Sequence, residues 1–165
     1  MKKNNRDIIL FVAQTSMIAA VYVALTLIFA PISFNLIQVR IAEALCILPL
    51  FTSVAIPGLY LGCLLGNAIA GAAIYDVIFG SLATLIGAFV GYLLRHNRWL
   101  VPIPSVISNM LIIPFVLKYV YMVEVPIIIQ MLYIGVGEII SCYILGEILG
   151  TALLKHPEIF KKRNV

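Results

Sequence analysis

The chain has 165 residues, of which 63% are hydrophobic and only 11% are charged, and its mean hydropathy is +1.12. A soluble domain of this length cannot bury so much apolar surface, so the composition excludes one and indicates a helical membrane protein. The formal charge of +4 comes mainly from basic residues at the two ends and in one loop. That distribution is typical of membrane topology signals and argues against nucleic-acid binding.

Six apolar segments follow one another along the chain, and most are long enough to cross a bilayer as a helix. Pro31, Pro57 and the polar residues 95–98 mark breaks between them. The first segment is too long for the apolar part of a secretory signal. We predict spans at Ile8–Ala30, Ile41–Ala55, Pro57–Ala73, Asp76–Leu94, Val101–Tyr121 and Pro126–Leu154. The predicted fold class is therefore all-α, a polytopic membrane protein with a single transmembrane domain over residues 1–165.

The Lys and Arg residues are divided unevenly between the two sides that six spans define. If the amino terminus is cytoplasmic, the opposite side keeps only Arg40 and Lys118 of the 11 basic residues. Because basic residues in short loops stay in the cytoplasm, we predict that both ends are cytoplasmic. They would form short basic tails at about 1–7 and 155–165.

Small residues recur at about every fourth position in three of the predicted spans, a spacing that allows two helices to approach closely. In the third and fourth spans, packing inside the protein is the preferred interpretation. Those two stripes are Gly58, Gly62 and Gly66, followed by Gly80, Ala83, Gly87 and Gly91. In the first span, Ser16, Ala20 and Ala24 could equally face another subunit.

Ionisable side chains near hydrocarbon cost at least about 2.5 kcal/mol on insertion scales, so each requires a partner or a function. Arg40 and Glu43 are three residues apart and could form an ion pair. Asp76 could cap the fourth helix or bind a ligand. Glu138 lies deep in the last span, on a helical face that could line a cavity, whereas Glu147 is turned to the opposite face.

Uncharged polar residues form a second group of candidates. Asn67 and Asn109 lie deep in spans, where each could bond across helices or contact a ligand. Gln130, Tyr75 and Tyr133 lie toward the outer interface, where an aromatic belt and stacking on a planar ligand are the two alternatives for the tyrosines.

Motifs of soluble enzymes are missing from the sequence, which has no GxxxxGK[ST], HExxH or GxSxG. The three cysteines lie in apolar runs and form no CxxC pair, so neither a disulfide nor a zinc site is indicated. The sequence therefore predicts binding and translocation rather than catalysis, with no cofactor and no metal.

Four stretches carry a resemblance to a known family. They read IQVRIAEAL from Ile37, LPLF from Leu48, IPGLYLGC from Ile56 and, after Asn67, DVIFGSLATL from Asp76. These motifs resemble the QueT family of queuosine-precursor transporters, and the likeness covers nearly the whole chain. That family is regarded as substrate-binding S components of energy-coupling factor (ECF) transporters, which share a six-helix fold.

The resemblance implies partners in the membrane besides lipid: a transmembrane coupling protein and two ATP-binding subunits. In S components a small-residue motif of the first helix contacts the coupling protein, and Ser16, Ala20 and Ala24 occupy that place here. The stripe in the first span is therefore interpreted as a partner surface.

The resemblance also implies a 7-deazaguanine ligand such as preQ1 or preQ0. Carboxylates can accept its N–H groups, a second acid suits an aminomethyl cation, and an aromatic ring suits its flat face. The substrate-binding residues expected on this basis are Glu43, Asp76, Glu138, Asn67, Gln130, Tyr75, Tyr133, Gln38 and Arg40, with Asn35 as a further residue of the loop after the first helix. An S component for another vitamin and a proton-coupled carrier that uses Glu138 are the alternatives.

Overall fold

A computed structural model describes residues 5–33 and 38–156 of the chain. Within these residues the protein is built from helices and contains no β-strand, which confirms the all-α fold class. Asn35 and most of the two predicted basic tails lie outside the described residues.

The helices follow the predicted order, with two departures from α-helical geometry. Between α2 and α3 a ten-residue segment is a 3-10 helix, and the last span is interrupted by a π-helical segment. The elements are α1 (Asn5–Ile28), α2 (Ala30–Ser33), the 3-10 helix (Ile41–Leu50), α3 (Ala55–Ile69), α4 (Ile74–Leu93), a short 3-10 turn (Arg98–Leu100), α5 (Ile103–Tyr119), α6 (Ile127–Glu138), the π segment (Ile139–Leu145) and α7 (Gly146–Leu154).

Four helical segments are long and apolar enough to cross a membrane. They are Asn5–Ile28, Ile74–Leu93, Arg98–Tyr119 and Ile127–Leu154. The two other predicted spans correspond to shorter apolar helices, Ile41–Leu50 and Ala55–Ile69. The membrane character of the chain is confirmed, whereas the count of six crossings stays a prediction.

The 3-10 helix lies at the centre of the fold and corrects the predicted α-helix at Ile41–Ala55. It ends at Leu50, and Pro49 inside it has no N–H to donate to an α-helical ladder. Residues 42–49 are all buried, because α1, α3, α4, the π segment and α7 contact this helix. A 3-10 helix rises about 2.0 Å per residue, so ten residues extend about 20 Å.

Glycines on one face of α3 allow α1 to pack directly against it. A Cβ added at Gly58 would lie 2.8 Å from Ile18 Cβ, and one at Gly62 would lie 2.6 Å from Tyr22 Cβ. In α4, a Cβ at Gly87 would clash with the Ser105 side chain of α5. The predicted role of both glycine stripes in internal packing is confirmed.

An ion pair joins the short 3-10 turn between α4 and α5 to α7. Arg98 donates from Nε and Nη2 to Oε2 of Glu147 at 2.9 and 2.6 Å, and from Nη2 to Thr151 Oγ1 at 2.8 Å. The prediction that Glu147 does not share the surroundings of Glu138 is confirmed.

Candidate functional site

Polar side chains from five parts of the chain meet inside the apolar bundle. Each of them is buried. This buried polar cluster consists of Tyr22, Arg40, Glu43, Cys46, Asn67, Asp76, Thr84, Glu138 and Cys142. The structure thus brings together five of the nine predicted substrate-binding residues, namely Arg40, Glu43, Asn67, Asp76 and Glu138.

Glu43 is the acid with the most hydrogen-bond donors around it. The Tyr22 hydroxyl donates to Glu43 Oε1 across 21 positions of the chain. Thr84 Oγ1 lies 3.4 Å from the same oxygen, and the Cys46 thiol donates to Oε2 at 2.8 Å. The side chain is fully buried because it lies on the central 3-10 helix, so α1 and α4 both reach it.

Glu138 reaches the same place from the last span. The Cys142 thiol donates to Glu138 Oε2 at 3.0 Å and lies 4.0 Å from Glu43 Oε2. One thiol therefore contacts two buried carboxyl groups. The face predicted to carry Glu138 is confirmed as a buried one, since Ile134, Gly135 and Ser141 are buried with it.

Asp76 lies in the first turn of α4 and does not cap it, because Ala73 occupies the cap position. The Tyr121 hydroxyl donates to Asp76 Oδ2 at 3.2 Å and accepts from the Ala73 N–H at 3.0 Å. Burial raises the pKa of Tyr121, so its phenol stays a donor at neutral pH. Asp76 Oδ1 is buried without a hydrogen-bond partner.

Arg40 and Asn67 complete the surroundings of Asp76. The charge of the buried Arg40 interacts with Asp76 as well as with Glu43, and the predicted Arg40–Glu43 ion pair stays a prediction. Gly80 lets Asn67 approach, since a Cβ there would lie 3.1 Å from Asn67 Nδ2 and 3.6 Å from Asp76 Oδ1.

The two glutamines predicted to bind substrate, Gln38 and Gln130, are both buried. Gln130 Nε2 donates to the Val125 carbonyl at 2.6 Å and so supports the loop between α5 and α6, whereas its Oε1 has no hydrogen-bond partner. Gln38 is buried with a positive φ of 45°, a left-handed conformation that non-glycine residues rarely adopt.

The two predicted stacking residues lie outside the cluster. Tyr75 is 57% exposed and Tyr133 is 41% exposed. Such exposure on an apolar outer surface favours the aromatic-belt alternative, and the stacking role stays a prediction.

Sequence reasoning missed the neutral donors around Glu43. Cys46 and Cys142 are small residues in apolar runs, and nothing in the sequence links two cysteines that are 96 positions apart. A weak signal existed for Tyr22, because Thr15, Ala19, Tyr22 and Thr26 form a stripe at helical spacing that turned out to be the buried face of α1.

Glu43, Cys46 and Cys142 are also close enough to hold a metal ion, since their ligand atoms lie within 4.8 Å of one another. Thiolates and carboxylates are ligands that suit zinc. The same distances are explained by thiols that donate hydrogen bonds to Glu43, and the predicted absence of a metal stays a prediction.

The stripe of α1 predicted as a partner surface faces outward. Ser16, Ala20 and Ala24 are exposed, and only 17% of the apolar window of α1 is buried, against 39–50% for the other three long apolar segments. Internal packing is therefore provided by the opposite face of α1.

Three comparisons with known proteins bear on identity. No curated protein matches the chain, and no solved structure matches it. The family model described as QueT transporter matches residues 12–155, which include all of the buried polar cluster. The chain belongs to the QueT transporter family.

Proposed function

We propose that the protein is the substrate-binding S component of an ECF-type importer and takes up a queuosine precursor of the 7-deazaguanine class. Separate ATP-binding subunits would power uptake through a coupling protein. In this arrangement both chain ends are cytoplasmic, and the Asp76 end of α4 faces outward.

The observation that carries this proposal is a set of buried polar atoms without hydrogen-bond partners. Among them are Asp76 Oδ1, Asn109 Nδ2 and Oδ1, Gln130 Oε1 and Ser141 Oγ, and others, such as Thr15 Oγ1 and Glu147 Oε1, belong to α1 and α7. Buried polar atoms of native proteins are nearly always paired, so this number of unpaired atoms favours a ligand that pairs some of them.

A guanine-like edge fits this set. Its ring N–H and exocyclic amine are donors that Asp76 Oδ1 and Gln130 Oε1 can accept, and its carbonyl can accept from Asn109 Nδ2. Glu43 and Glu138 supply further acceptors. The charge of Arg40 interacts with Asp76, Asn67 lies near Asp76 beside Gly80, and Gln38 lies two residues before Arg40.

Calorimetry on the purified protein without its ATPase partners tests the proposal. We expect heat on titration with preQ1 or preQ0 and none with riboflavin or biotin. Glu43→Gln should weaken binding by roughly tenfold to a hundredfold, the worth of one hydrogen bond to a charged group. Glu124→Gln, which changes an exposed acid of the α5–α6 loop, should bind like wild type. Heat with riboflavin or biotin alone would contradict the queuosine assignment.

Glu138 is buried within a span, and acids in that position often carry protons in transporters. A carrier driven by protons is therefore the one alternative. Vesicles that hold the protein and a proton gradient, but no ATPase subunits, separate the two. Accumulation of ligand in such vesicles would exclude the S-component assignment, whereas binding without accumulation supports it.

A further inference from the structure

A cavity outside the buried polar cluster lies between the short 3-10 turn and α7. Its volume is about 420 Å³, and its lining includes Arg98 and Trp99 of the turn and Glu147, Ile148 and Lys155 of the α7 region. Two of these side chains are cationic and one is acidic, so the lining has a net positive charge. The proposed uptake of a substrate makes no use of this cavity.

The α7 side of the cavity changes from apolar to basic along one face of the helix. Ile148, Ala152 and Lys155 are four and then three residues apart, which is the spacing of one helical face. Ile148 is 63% exposed and belongs to the apolar segment that ends at Leu154, and Lys155 follows that segment at once. Seven residues of helix rise about 10 Å. The cavity therefore begins beside hydrocarbon and ends at the level of the lipid headgroups.

Arg98 is held in this cavity with only part of its guanidinium in use. Its Nε and Nη2 donate to Glu147 and Thr151, and its Cζ lies 4.7 Å from the centre of the Trp99 ring. Among the residues that the structure describes, Nη1 donates to no acceptor and the Lys155 ammonium forms no ion pair. Two sets of charged donors from separate segments are thus available to an anion.

We propose that this cavity binds one anionic phospholipid. The headgroup phosphate accepts from Arg98 Nη1 and from the Lys155 ammonium, and an acyl chain lies along Ile148. A guanidinium suits phosphate, and one that is already fixed by Glu147 loses little freedom on binding. Basic cavities between membrane helices are typical sites for anionic headgroups. The bound lipid joins the turn before α5 to the end of α7, and this site is independent of the proposed substrate.

The apolar part of the lining favours a lipid over a soluble anion. Trp99 is 52% exposed, and Ile148 and Ala152 extend the apolar lining toward the hydrocarbon. A soluble anion leaves these side chains uncovered, whereas an acyl chain covers them. Tryptophan is also enriched where headgroups meet hydrocarbon.

Native mass spectrometry of the purified protein in detergent tests the proposal with three probes. They are dioleoyl-phosphatidylglycerol, dioleoyl-phosphatidylcholine and glycerol 3-phosphate. The two lipids share their acyl chains and a phosphate, but only phosphatidylglycerol has a net negative charge. We expect one phosphatidylglycerol per chain, bound about fivefold more tightly than phosphatidylcholine, and no retention of glycerol 3-phosphate. Equal binding of the two lipids would overturn the proposal, as would glycerol 3-phosphate that binds as tightly as the lipid.

A variant assigns the preference to this cavity. Lys155→Gln removes one cation and leaves the Arg98–Glu147 pair in place, so the affinity for phosphatidylglycerol should fall about fivefold. Lys118→Gln removes the same charge from the last turn of α5 and is the matched control, which should bind like wild type. Unchanged lipid binding in Lys155→Gln would contradict the site, and loss of the complex with the coupling protein in that variant would then assign the cavity to a protein partner.

Discussion

Tyr22 connects the outermost long helix to the central acid. Its ring is 1% exposed, and its hydroxyl donates to Glu43 Oε1. Thr26 lies one turn further along α1 and donates to the Tyr22 carbonyl at 2.9 Å. The tyrosine therefore fixes the orientation of the Glu43 carboxylate before any ligand arrives.

Tyr22→Phe tests this positioning role. The change removes one hydrogen bond to the Glu43 carboxyl group, and hydrogen bonds to charged groups are worth about 1.5–3 kcal/mol. We expect ligand affinity to fall about tenfold and the thermal midpoint to drop, as measured by calorimetry and by thermal unfolding in detergent. Tyr75→Phe removes an exposed hydroxyl outside the cluster and should change neither. Unchanged affinity in Tyr22→Phe would show that Glu43 is oriented without Tyr22.

At the level of single residues, the sequence predicted the charged members of the cluster and Asn67, but it missed Tyr22, Thr84 and the two cysteines. An acid inside an apolar span is conspicuous because of its transfer cost, so Glu43, Asp76 and Glu138 were found. A buried tyrosine or cysteine costs little and resembles ordinary packing. Their roles depend on distances between segments far apart in sequence, which no local pattern encodes.

Helix α3 packs closely against α1 through a face that carries three glycines. Its glycines face Ile18, Tyr22 and Thr26 at spacings that leave no room for a side chain. The contact between α1 and α3 thereby determines how far the Tyr22 side chain extends toward Glu43.

Gly62→Ala should displace α1, because the added Cβ would lie 2.6 Å from Tyr22 Cβ and 3.2 Å from the Ala19 Cα. Overpacking of this kind costs about 1–3 kcal/mol. We expect a lower unfolding midpoint together with weaker ligand binding, since the Tyr22 hydroxyl moves with the helix. Leu61→Ala, on the exposed side of the same helix, is the control for a change at α3 and should retain ligand affinity. Wild-type affinity in a folded Gly62→Ala protein would contradict the coupling.

Apolar runs predicted where the helices lie but not which kind of helix forms. The second span has the same hydropathy whether it rises 1.5 or about 2.0 Å per residue, so its 3-10 geometry could not be read from composition. The π segment at Ile139–Leu145 is likewise invisible to periodicity over seven residues. Such segments occur often at functional sites, and this one carries Cys142 into contact with Glu138.

At the scale of the whole molecule, the two faces of α1 have different roles, one in internal packing and the other on the outer surface. One face packs on α3, and the other exposes Ser16, Ala20 and Ala24. Small exposed residues permit a second helix to approach closely in lipid, where packing rather than the hydrophobic effect drives association. This division supports the proposed coupling surface.

Ala20→Trp should abolish co-purification with the coupling protein and leave ligand binding by the isolated protein at the wild-type level. Val21→Trp places the same bulky ring about 100° around the helix, also at an exposed position, and should preserve the complex. A complex retained by Ala20→Trp would show that the coupling protein binds another surface.

The two thiols that contact Glu43 are also natural positions for chemical modification next to the candidate site. Cys46 and Cys142 are fully buried, so we expect a ligand bound beside Glu43 to slow their reaction with a small thiol reagent. Alkylation at these positions, read by mass spectrometry, would then record whether the site is occupied without any engineered reporter.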